Sequence, residues 1–198
     1  MSETEPHVVR LDGQNLHELP SYLAGRSDLL HLSVYDNQIT TLPDWLWSLT
    51  QLRTLNLAGN QLTHIPDDVH RLQNLCMLDL GHNRIAELPD GLGDLAALTD
   101  FLYLSDNGLE TLPVSLTQLT ALRYLNITEN RLQALPADIG HMTGLMELRA
   151  YNNPLDTLPA SIGDLGSLRE LHLDHTRLTV LPDSIDGLRA LRVLSLRG

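Results

Sequence analysis

His172 and His175, with Asp174 between them, are the side chains best spaced to hold a metal, because two imidazoles and a carboxylate offer the nitrogen and oxygen donors that zinc accepts. Aromatic rings offer a second kind of chemistry. The chain has one Phe and five Tyr, and Phe101, Tyr103 and Tyr124, with Met77 upstream, are residue types that anchor protein interfaces when they face solvent. Arg149, Tyr151 and His172 add a mixed polar strip suited to the surroundings of such an anchor. Asn126-Ile127-Thr128 matches a glycosylation sequon, but its Asn falls on an expected strand and the match is read as chance. The arrangements that cradle phosphate, activate a nucleophile or bind catalytic zinc are missing, since there is no GxxxxGK[ST], GxSxG, HExxH or cysteine pair. No catalytic residue, cofactor or metal is therefore assigned, and the histidines are read as exposed variable positions.

What places these side chains is a 23-residue pattern, LxxLxLxxNxLxxLPxxIxxLxx, running from Pro6 to Ala190. A fixed period of this length is the signature of a solenoid, in which each repeat buries its apolar face against its neighbours. Residues 1–5 are read as an N-terminal tail and 6–198 as a single solenoid. It has eight full repeats, 6–28, 29–51, 52–74, 75–97, 98–121, 122–144, 145–167 and 168–190, and a partial repeat 191–198. Leu55 and Leu57, or Leu125 and Ile127, alternate with variable residues as a short strand with one buried face requires. Eight of the ten prolines stand at position 15, where they fix a bend ahead of a helical or 3₁₀ turn. Asn37, Asn60, Asn83, Asn107, Asn130 and Asn153 recur at position 9, where a short amide bonds exposed backbone of adjacent turns. Gln14 and Thr176 replace Asn at the two ends.

On these residues the chain resembles the leucine-rich repeat family, and its 23-residue period and LPxxIxxL segment look like the intracellular type of Ras-group scaffolds and bacterial effectors. The resemblance implies an α/β fold, a right-handed horseshoe solenoid with a concave parallel β-sheet, an asparagine ladder, and short helical or 3₁₀ turns on the convex side. It also implies that function lies on the concave face. There positions 3, 5, 7 and 8 are expected to face solvent, and Met77, Phe101, Tyr103, Tyr124, Arg149, Tyr151 and His172 become the candidate partner-binding residues. Repeat five is one residue longer than the others, which predicts a strand bulge near Asp100 and Phe101. On the opposite side Trp45 and Trp47 are expected to pack over the outer edge.

Composition narrows the partner. A net charge of −12 argues against nucleic acid, which calls for a basic stripe. No apolar run is long enough to span a bilayer. A lone cysteine, Cys76, and the lack of cysteine-rich caps point to a reducing cytosol, that of a producing bacterium or of a host. All 13 basic residues are arginine, which fits either a GC-rich bacterial genome or an effector that avoids acceptor lysines. The expected function is non-catalytic protein binding. The alternatives are the substrate-recruiting region of an effector enzyme such as a ubiquitin ligase, or a structural, self-assembling repeat protein. Because the sequence stops just after the ninth strand motif, either a continuing chain or a dimer pairing terminal strands edge to edge is expected, alongside a monomer.

Overall fold

The computed structural model describes residues 7–198. Nine three-residue strands, one per repeat, form a single parallel sheet in strict sequence order. They are β1 (Val8–Arg10), β2 (His31–Ser33), β3 (Thr54–Asn56), β4 (Met77–Asp79), β5 (Phe101–Tyr103), β6 (Tyr124–Asn126), β7 (Glu147–Arg149), β8 (Glu170–His172) and β9 (Val193–Ser195). The central residue of each strand points inward, and Leu32, Leu55, Leu78, Leu102, Leu125, Leu148 and Leu171 form a continuous buried row. Eight 3₁₀ turns return the chain along the other side. In every one, the proline at position 15 lends its carbonyl to the N–H three residues on, as Pro66 does for Val69 at 3.1 Å. Proline lacks an N–H, so it suits a turn start where none is needed. Trp47 is buried among these turns beside Leu46, while Trp45 is half-buried against the core.

The asparagine row does what its position requires. Asn60 Nδ2 donates to the carbonyls of Leu57 and Ala58 in its own repeat and to that of Val34 in the preceding one, at 3.0 to 3.2 Å, and its Oδ1 accepts the N–H of Ile39. Asn37, Asn83, Asn107, Asn130 and Asn153 repeat the pattern. Thr176 reaches only the Leu173 carbonyl, so the ladder thins at that end. One place earlier, at position 8, the chain turns through the left-handed region in every full repeat: Gly13, Asp36, Gly59, His82, Asp106, Glu129, Asn152 and His175 all have positive φ. Gly, Asn and Asp tolerate this conformation best.

Two expectations need correction. The extra residue of repeat five makes no bulge within the strand, because β5 pairs in register with both neighbours, Phe101 opposite Met77 and Tyr124. It is absorbed in the approach, where Asp100 N–H reaches Cys76 O and Thr99 O accepts from Arg123. A slip inside the strand would have turned Leu102 out of the core. Position 7 also faces solvent in some repeats only, with Asp12 and Tyr35 exposed. Ala58, Gly81 and Thr128 are buried there by the tight inward turn.

At the last strand, Val193, Leu194 and Leu196 are exposed. Among the described residues no helix is long and apolar enough to cross a membrane. Removing a rung should cost more than removing a terminal one. Asn130→Ala is expected to lower stability by about 3 kcal/mol or more, and Thr176→Ala by about 1 kcal/mol. Leu125→Ala should cost about 2–5 kcal/mol through the cavity it leaves. Urea melts of the three variants check the order.

Candidate protein-binding face

Phe101 and Tyr103 on β5 and Tyr124 on β6 are brought together on the exposed side of the sheet. Outward positions 3 and 5 of paired strands stand side by side there. The rings of Phe101 and Tyr103 are stacked at 5.8 Å between centroids. Tyr124 meets Phe101 edge-on at 5.5 Å and tilts against Tyr103 at 5.1 Å. Phe101 is 43% exposed, whereas the two tyrosines are half-buried. Phe101 therefore points outward. Met77 lies directly opposite it on β4. Burial pushes the Tyr124 hydroxyl up to about 12, partly offset by the charge of Arg149. The phenol stays a neutral donor.

Arg149 on β7 belongs to the same surface. Its guanidinium lies 5.6 Å from the centre of the Tyr124 ring, and its Nε donates to Glu147 at 2.6 Å. Glu147 and Glu170 stand opposite each other on paired strands, a like-charge contact that Arg149 and His172 relieve. His172 Nε2 is 3.1 Å from Glu170 Oε2. Glu147, Glu170 and His172 are also the only described trio whose potential ligand atoms converge, within 4.8 Å. His172 thus faces the glutamates, while Asp174 is held by Ser195 and by the N–H of Arg197, so His172, Asp174 and His175 form no donor set. Tyr151 is half-buried at position 7.

Asp79, which sequence reasoning passed over, stands opposite Tyr103. Its Oδ1 accepts the N–H of Gly81 at 3.0 Å. At the same place in other repeats Asn56 and Asn126 accept from Ala58 and Thr128 at 2.9 and 3.1 Å. A neutral amide therefore makes the bond equally well. Burial pushes the Asp79 carboxyl above its ordinary range, against the Gly81 hydrogen bond and the charge of His82. Burial of Tyr103, and after it the Asp79 charge, raises the Tyr103 hydroxyl in turn.

Family models described as "Leucine rich repeat" match residues 7–62 and 51–109, and one described as "Leucine-rich repeat region" matches 114–198. The chain belongs to the leucine-rich repeat family. Among solved structures, a leucine-rich repeat protein of Leptospira interrogans is 28% identical, with a TM-score of 0.86 over 96% of this chain and 55% of that one. Internalin C2 of Listeria monocytogenes is 27% identical, with a TM-score of 0.81 over 95% of this chain and 80% of its own. The plant peptide hormone receptor RGFR1, in complex with RGF2, is 27% identical, with a TM-score of 0.83 over 96% of this chain and 32% of the receptor. The chain thus spans about half of the Leptospira protein and a third of the receptor. No curated protein was found to match it.

Within this repeat frame the column-five pair Asn56 and Asn126 was the signal that would have drawn attention to Asp79. Because folding raises the Asp79 value above its ordinary 3.8, the ionised carboxylate costs stability above the raised value, and that cost vanishes below the ordinary one. Asp79→Asn is therefore expected to raise Tm at pH 7, by about 2 °C, and to give no gain at pH 3. Calorimetric melts at both values check the sign.

Proposed function

We propose that this leucine-rich repeat solenoid is a non-catalytic protein-binding module that grips its partner on the exposed sheet face, with Phe101, Tyr103 and Tyr124 as the anchor. The observation that carries this reading is a three-ring cluster held on rigid strands and open to solvent, with Phe101 43% exposed. Strands of a packed solenoid move little, so the anchor is preorganised and little ordering entropy is lost on binding. Met77 extends the apolar ground on one side. On the other, Arg149, Tyr151 and His172 provide a polar margin. The plant receptor relative, solved in complex with RGF2, supports a peptide or protein as the class of partner. The lone free thiol of Cys76 supports a reducing, cytosolic setting.

The double variant Tyr103→Ala, Tyr124→Ala is expected to keep its fold and to lose at least roughly 30-fold in affinity for a partner captured by pull-down, because buried aromatic anchors cost about 2 kcal/mol or more on truncation. Affinity and melting temperature are measured together. Normal binding with a much lower melting temperature would mean that the rings serve packing, and recognition would then pass to the strip of Arg149, Tyr151 and His172.

A further inference from the structure

Two strand pairs on the face are built alike but finished differently. On β6 and β7, Tyr124 stands opposite Glu147, and Arg149 completes the arrangement with its guanidinium over the ring and its Nε on the carboxylate. On β5 and β4, Tyr103 stands opposite Asp79, a ring and a carboxylate again, and among the described residues no guanidinium lies over that ring or pairs with that carboxylate. Among the described residues Asp79 makes no ion pair, whereas Glu147, Asp106 and Glu170 each face a basic side chain. The structural task of Asp79, holding the Gly81 N–H, is done by neutral Asn56 and Asn126 in other repeats. Its charge is surplus to the fold and lies half-buried beside the aromatic anchor.

We propose that Asp79, Tyr103 and Phe101 form a subsite for an arginine side chain of the bound partner, its guanidinium lying on the Tyr103 ring and its N–H groups donating to the Asp79 carboxylate. This deepens the reading of the sheet face as the binding face and rests on it. The chemistry favours arginine over lysine, because a planar guanidinium stacks on a ring while directing two N–H donors at one carboxylate. A neutral or apolar side chain would bury the Asp79 charge without a partner, which is costly. The net charge of −12 draws a basic segment toward the molecule over a longer range.

The test titrates the ¹⁵N-labelled chain with acetyl-Gly-Gly-Arg-Gly-Gly-amide and with the same peptide carrying citrulline, a neutral isostere of arginine. The arginine peptide should shift the amide resonances of Tyr103 and Gly81 and bind at least about five-fold more tightly than the citrulline peptide. Asp79→Asn, whose fold is checked by its melt, should remove that preference. Equal affinity for both peptides, or a preference that survives Asp79→Asn, overturns the proposal. An identified partner separates this subsite from the wider reading. If Tyr103→Ala, Tyr124→Ala weakens the partner and Asp79→Asn does not, the face is the binding face and the arginine subsite is wrong. If neither weakens it, both fail.

Discussion

A buried amide at the ninth place of each repeat is the constraint on which the rest of the structure depends. A chain that turns inward every 23 residues carries backbone N–H and carbonyl groups into its own interior, where an unpaired group costs more than a typical hydrogen bond returns. Asparagine solves this with one side chain, two donor hydrogens for carbonyls and one oxygen for an N–H. At Asn60 or Asn130 those bonds span two successive repeats. Once the turns are sealed, strands can lie in register and leucines can fill the space between sheet and 3₁₀ turns. The proline at position 15 then starts each return.

This division of labour explains how freely the outward residues vary. Inward residues are held to leucine and its near equivalents by close packing. Positions 3 and 5, whose side chains leave the sheet, run through threonine, methionine, phenylalanine, tyrosine and glutamate at one place, and through serine, asparagine, aspartate, tyrosine, arginine and histidine at the other. Where such freedom yields three touching rings and an unpaired carboxylate on adjacent strands, the scaffold does not account for the combination. Asp79 shows this most clearly, since the fold asks for an acceptor and receives a charge as well.

Most of the scaffold was legible in the residues themselves. Leu55 and Leu57 announced a strand, Pro66 its return turn, and Asn60 the rung between them, because each is tied to a local backbone requirement that repeats at a fixed interval. The face was legible as a set of columns, and Phe101, Tyr103 and Tyr124 were placed together correctly by that count. Three things were not readable that way. The extra residue of repeat five sits where core registry pushed it, ahead of the strand, and a count alone does not say on which side of Phe101 the slack is taken up. The burial of Ala58 and Thr128 follows from the tightness of the turn, which the pattern does not state. Asp79 was overlooked because an acidic residue on an exposed strand usually means nothing, and its importance rests on contacts it does not make.

Among the described residues each strand or turn meets its counterparts in the adjacent repeats, and successive repeats meet through the same set of bonds. A gene segment encoding one repeat can therefore be duplicated or lost in frame with each new junction resembling an old one. Such an event would carry the aromatic cluster nearer to or farther from the glutamate and histidine strip by the width of one strand, about 4.8 Å. The spacing of recognition elements on this surface is thus open to heredity in fixed steps, changed by recombination with little new demand on the core.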